Sequence, residues 1–227
     1  MRWRTQPAER SVMYSAAWLE PIDVVTGGRP QTPLTVDLQA RDGSRWVPVD
    51  IAAGTTAGGA IAYPGLGRAV NPFAVPVRRF RAVLSADGYL PLYRADGDGV
   101  EFDAHAYNDS YPPAQEAVRQ TVEFAPAPAY RFPANVPVLR GVVTAAGVAV
   151  ADCLVEAVVG SGGMAQPLTE RTLTDRRGGF ALPLRWARTD VDTAVVATFR
   201  RVAPTQTGAI AVRLPGALAT SHTIPIA

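Results

Sequence analysis

The residues of this 227-residue chain whose types could do chemistry are few: two histidines, one cysteine, four serines worth testing and one acidic, glycine-spaced run. Hydrolytic or metal chemistry needs several such groups to converge on one point. His105 and His222 fall in different halves of the sequence, so a two-histidine site within one domain is not expected. The run ADGDGVEFD carries Asp96, Asp98, Glu101 and Asp103. Aspartates spaced by glycine can gather carboxylate oxygens around Ca²⁺. The run lacks the full spacing of an EF-hand loop, however, and a solvated acidic loop is the plainer reading. Ser11, Ser15, Ser85 and Ser110 have no neighbouring base and no G-x-S-x-G elbow. The glycines of GSGG at 160–163 follow a strand pattern without opening a helix, which argues against a phosphate cradle.

Cys153 is the only cysteine, so no disulfide forms within the chain. It stands between Asp152 and Leu154 at the start of a strand pattern, and this points to a buried structural thiol. A reactive thiol would need neighbours that stabilise its thiolate. The sequence therefore predicts no catalytic residue, no cofactor and no metal beyond the weak acidic run.

Aromatic residues are the other candidates. Tyr107, Tyr111, Tyr130 and Phe132 border a long polar loop and a proline-rich segment. They fit a docking surface for sugar or protein, or packing between domains; the second is the more economical, because aromatic rings bury large areas wherever they land. Trp3, Tyr14 and Trp18 are scattered through an arginine-containing arm at residues 1–18, where aromatics suggest docking on a neighbour or on the chain's own first domain.

The elements that must position these residues read as strands. Gly and Pro number 20 each, hydrophobic residues make up 48% and charged residues 19%, which excludes a disordered chain and suits an all-β protein with many turns. All 22 basic residues are arginine, as a GC-rich coding bias would produce. The net charge of +2 sets up no strong field toward nucleic acid or an acidic membrane surface. Residues 1–129 hold 12 arginines against 14 acids and residues 130–227 hold 10 against 6, a mild asymmetry.

Alternation predicts strands around Val36 and Leu38, around Trp46 to Ile51, at 79–93, at 193–199 and in HTIPI near the C-terminus. In RFRAVLSADGYLPLY, Phe80, Ala82 and Leu84 share one face. Gly27-Gly28, Asp42-Gly43 and Asp87-Gly88 mark turns. Residues 94–113 read as a long loop, and 114–120 as a helical turn after Pro112-Pro113. The segment FAPAPAYRFPANVP holds Pro126, Pro128, Pro133 and Pro137 and reads as a stiff connector.

The two halves repeat one plan. LRGVVTAAGVAVADCLVEAVV at 139–159 and RTLTDRRGGFALPL at 171–184 echo IDVVTGGRPQTPLTVDL at 22–38 and TAGGAIAYPGL at 56–66. The predicted organisation is an arm at 1–18, a divergent β-sandwich domain at 19–129 and a second β-sandwich at 130–227.

The second half resembles the carboxypeptidase regulatory-like, or transthyretin-like, domain family, chiefly through the T-D-x-x-G-x-F hairpin formed by Thr174, Asp175, Gly178 and Phe180. The resemblance implies two tandem Greek-key, prealbumin-like sandwiches, with the first half lacking the Thr-Asp pair but keeping GGAIAYPGL and SADGY. It also implies a non-catalytic part that stabilises, spaces or attaches other proteins, some relatives binding carbohydrate.

The N-terminus lacks the apolar stretch of a secretory signal, and no apolar run is long enough to span a bilayer. Cytoplasmic synthesis is therefore expected, as for parts of phage tails and of phage-like contractile injection particles. The functional expectation is a non-enzymatic structural or attachment subunit of such an assembly, with other protein subunits as partners and neither nucleic acid nor membrane. A carbohydrate-binding or adhesion module is the alternative, and a metal-dependent enzyme stands third.

Overall fold

A computed structural model describes residues 14–93, 97–113, 115–159, 168–187 and 191–227. Of the described residues, 52% lie in strands and 4% in short 3-10 turns, so the protein is all-β, as its turn-rich composition predicts. Among the described residues seventeen strands follow one another: β1 (Ser15–Asp23), β2 (Leu34–Asp42), β3 (Arg45–Pro48), β4 (Gly54–Thr55), β5 (Ile61–Pro64), β6 (Arg78–Ala86), β7 (Tyr89–Leu92), β8 (Val100–Ala104), β9 (Val118–Pro126), β10 (Val138–Ala145), β11 (Val148–Ala149), β12 (Leu154–Val159), β13 (Leu168–Leu173), β14 (Gly179–Pro183), β15 (Thr193–Phe199), β16 (Gln206–Val212) and β17 (Ser221–Ile226). They form four sheets, ordered β4-β5-β1-β9-β7, β3-β2-β6-β8, β11-β10-β14 with β17 on β10, and β13-β12-β15-β16. No sheet mixes strands from before and after residue 130. Among the described residues, no helix is long and apolar enough to cross a membrane.

By spatial contact the chain divides into two units, one of Met1–Glu20, Asp37–Val83 and Val100–Gln120, the other of Pro21–Val36, Leu84–Gly99 and Thr121–Ala227. In the first unit, β2 and β3 are joined through the Asp42-Gly43 turn, with Asp42 opposite Arg45 and Gly43 at φ +55. Strand β6 buries Phe80 and Ala82 while Arg79 and Arg81 stay on the outer face. The rings of Tyr63, Phe102 and Phe80 stack in succession at 5.6 and 6.0 Å.

Three local features differ from the sequence reading. The stretch 94–113 contains β8, whose Val100, Phe102 and Ala104 are buried and alternate with exposed Glu101 and Asp103. The period of two was present in the sequence, masked by the acids and glycines around it. Residues 115–117 carry no helix, and β9 starts at Val118; so short a segment forms too few helical bonds to offset the cost of a helix nucleus. The arm expected at 1–18 ends earlier, because Ser15 and Trp18 lie in β1, paired with Pro64 and Ala62 of β5.

In the second unit, Leu139, Val143, Cys153, Val155, Phe180, Leu182, Leu184, Val195 and Ile224 make one core. The hairpin between β13 and β14 is built as its residues dictate. Asp175 Oδ1 accepts from the backbone N–H of Arg177 at 2.8 Å and of Gly179 at 2.9 Å. Gly178 holds φ +71, with Val143 O 2.9 Å from where a Cβ would stand. Strand β14 buries Phe180 through Pro183 on both faces. The strand β10 pairs antiparallel with β14 and parallel with β17.

Candidate functional site: an aromatic cleft on two stapled loops

In the first unit the chain leaves β5 at Pro64 and returns at β6, and leaves β8 at Ala104 and returns at β9. These two connections are hydrogen-bonded to each other. The Tyr107 N–H donates to Gly67 O at 3.0 Å and the Ala69 N–H to Tyr107 O at 2.9 Å. So close an approach demands glycine at 67: its φ is +92, and a Cβ would stand 2.4 Å from His105 O. Arg68 Nη2 meets Asp109 Oδ2 at 2.6 Å across the same junction.

Two asparagines then shape the loop tips. Asn71 Oδ1 accepts from the Phe73 N–H at 3.2 Å and caps a 3-10 turn at Pro72–Ala74. Asn108 Oδ1 accepts from the N–H groups of Ser110 and Tyr111 at 3.0 and 2.9 Å, while its Nδ2 donates to Val70 O at 3.2 Å. Short polar side chains next to turn backbone do this work well, because they satisfy N–H groups that no strand partner reaches.

The two tips present Phe73, 77% exposed, and Tyr111, 54% exposed, with ring centroids 4.9 Å apart and planes at 73°. Beside the two touching rings lies a cleft of about 380 Å³ whose wall includes Pro72, Phe73, His105, Ser110, Tyr111 and Gln115. Val70, Val75 and Val77 are exposed nearby along the same connection. His105 also borders a hollow of about 30 Å³ with Asp103, Tyr107 and Glu116, room for about one water. Among the described residues no group of three or more His, Cys, Asp or Glu side chains is placed to hold a metal ion.

Of the tyrosines singled out from sequence, Tyr111 is on the surface and Tyr107 is not. Tyr107 is 4% exposed and packs edge-on against Tyr14 at 5.3 Å; its burial raises the phenol above its ordinary pKa. Tyr14 is thereby a packing residue of the first unit, Trp18 is half-buried in β1, and Trp3 lies outside the described residues. Tyr130 packs against Tyr89 and Phe132 in the second unit. Phe73, Asn71, Asn108 and Gln115 were not picked out by the sequence reading. The Asn71-Pro72 pair was a turn signal, but nothing local says that its loop meets Asn108.

The acidic run disperses. Asp96 lies outside the described residues, and Asp98 pairs with Arg201 at 2.9 Å. Glu101 and Asp103 both face Arg79, at 2.9 and 3.9 Å. Among the serines, Ser15 Oγ donates to Ala17 O at 2.6 Å and accepts from the Tyr63 N–H at 2.9 Å, Ser110 lines the cleft, and Ser11 and the run 160–163 lie outside the described residues. Cys153 is fully buried, and burial pushes its thiol up to about 11. His222 Nε2 lies 2.8 Å from Ala217 O, next to Thr220.

A second polar cluster was not expected from sequence. In the second unit Glu170 is 1% exposed, and its Oε1 accepts from the Arg185 backbone N–H at 2.7 Å and from Arg185 Nε at 3.2 Å. Arg185 Nη1 also donates to Val25 O, and Arg171 pairs with Glu123. Glu170 Oε2 is buried with no hydrogen-bond partner among the described residues, and burial raises this carboxyl above the ordinary range against the pull of Arg185 and of nearby backbone N–H groups. Fully buried Asp23 is better served: it accepts from the Val25 N–H at 2.8 Å, Thr26 Oγ1 at 3.0 Å and the Tyr89 hydroxyl at 3.1 Å. These carboxylates are structural, each anchoring a loop by accepting from its backbone or side chains.

No family model, curated protein or solved structure matches this chain.

Proposed function

We propose that this chain is a non-enzymatic attachment module that holds a partner through the Phe73–Tyr111 face. The observation that carries this reading is the pair of exposed rings fixed on backbone by Asn71 and Asn108. Large apolar side chains left in water lose the stabilisation that burial would bring, and a contiguous group of them usually marks a contact surface. Rigid presentation adds to the argument, since an anchor already ordered before binding loses less entropy on contact. The same face would serve a subunit docked on a phage-tail-like or contractile injection particle and a module that grips a glycan.

The test is retention of the labelled chain on fractionated extracts of its source cells. Wild type and a Trp186→Ala control are expected to be retained by one fraction, and the Phe73→Ala/Tyr111→Ala double variant to be retained about tenfold less, with an unchanged circular dichroism spectrum. Equal retention of the double variant and wild type would remove the reading.

A further inference from the structure

The lining of the aromatic cleft narrows the partner. We propose that it is a binding site for a neutral sugar ring at the end or in the chain of a glycan, an inference that rests on the attachment reading above. The wall combines two aromatic rings with a hydroxyl, an amide and an imidazole, from Ser110, Gln115 and His105. No carboxylate and no guanidinium is among its described wall residues; on the same loops Arg68 and Asp109 pair with each other at 2.6 Å, and Glu116 borders the neighbouring hollow instead. A cleft so composed offers no counter-charge to an anionic or cationic ligand. It does suit a pyranose, which has a face of polarised C–H groups and a rim of hydroxyls.

Each part of such a ring has a place. The face of an aromatic ring is the negative side of its quadrupole and attracts C–H groups that carry partial positive charge. Rings at 73° form a corner, so a sugar lying on one ring abuts the edge or face of the other. The hydroxyl rim then reaches donors and acceptors of the Gln115 amide and the Ser110 hydroxyl, which exchange water for ligand without burying an unpaired group. A volume of about 380 Å³ accommodates one or two such rings, at the small end of ligand pockets. The cleft is concave and its described lining is uncharged, which suits a small neutral ligand.

The full chain is titrated calorimetrically with neutral gluco-, manno- and galacto-oligosaccharides, and with heparin and polygalacturonate as charged arms. Binding of at least one neutral oligosaccharide is expected, insensitive to added salt because no ion pair is made. Phe73→Ala and Tyr111→Ala are each expected to weaken it about tenfold or more, while Trp186→Ala leaves it unchanged. Binding by no neutral oligosaccharide, binding by the charged polymers alone, or neutral binding that survives both ring substitutions would each overturn the proposal. If no oligosaccharide binds but the double variant still loses its retention on a cell fraction, the sugar assignment falls and the attachment reading stands. If retention is also unchanged, both fall.

Discussion

At the residue scale, the groups that looked chemical in sequence are mostly occupied with structure. Cys153 shows why. A thiol held near 11 by burial carries almost no thiolate at neutral pH, so a thiol-specific disulfide reagent is expected to leave it untouched in the native chain and to titrate one thiol in denaturant.

Glu170 makes a stronger demand. Its carboxyl titrates above the ordinary value of about 4.3 when folded, so the folded chain binds this proton more tightly than the unfolded chain does. The group's contribution to stability is therefore greatest below the unfolded pKa. It declines as pH rises through the carboxylate range and levels off above the raised folded value. Urea midpoints followed from acid to neutral pH should show this decline in wild type, and the wild-type minus Glu170→Gln difference should isolate it. A pH-independent difference would contradict the burial argument. Glu170→Ala is expected to destabilise by about 3 kcal/mol, because it leaves the partly buried Arg185 guanidinium without its counter-charge.

At the element scale, the loops matter more than the strands for the candidate site. Asn108→Ala removes three hydrogen bonds that hold the 105–113 loop in shape and tie it to Val70. Asn108 is not itself a wall residue of the cleft, yet its loss is expected to weaken ligand binding about tenfold while lowering stability by about 1 kcal/mol. Calorimetry and thermal unfolding on the same sample separate the two effects. Gly67→Ala should act more severely, since the new Cβ meets His105 O at 2.4 Å in a left-handed backbone conformation; a loss of Tm of several degrees is expected.

Much of this element structure was legible. Phe80, Ala82 and Leu84 alternate with arginines and did become β6, and TAVVATF did become β15. The Thr174-Asp175 hairpin formed the turn its residues predict: Thr174 Oγ1 bonds Val150 O at 2.7 Å and the Cys153 N–H at 2.8 Å. Strand β8 was hidden because Glu101 and Asp103 drew attention to charge rather than to the buried Val100, Phe102 and Ala104 between them.

At the scale of the whole molecule, the second unit draws on more of the chain than residues 130–227. Thr172 Oγ1 donates to Pro126 O at 3.0 Å, Arg171 pairs with Glu123, and Arg185 reaches Val25 O. A fragment of residues 130–227 lacks all three partners. Its urea midpoint, read by the fluorescence of Trp186, its only tryptophan, is expected to fall below that of the full chain followed at the same residue, in a full chain whose other three tryptophans are replaced by phenylalanine. Equal midpoints would mean that these bonds contribute nothing to the second unit.

What the sequence determined alone is the set of interactions between near neighbours. The alternation that makes strands, the Asp-Gly and Asp-x-x-Gly turns, and the burial of Cys153 depend on residues a few positions apart and on the pleat of an extended chain. The aromatic cleft depends on Gly67 meeting Tyr107 and on Asn108 meeting Val70, contacts between loops about forty positions apart. No local rule pairs them. Only the closing of β5, β6 and β8 onto their partners brings the two tips together, and that closure turns a core-seeking phenylalanine and a loop tyrosine into an exposed corner of two rings.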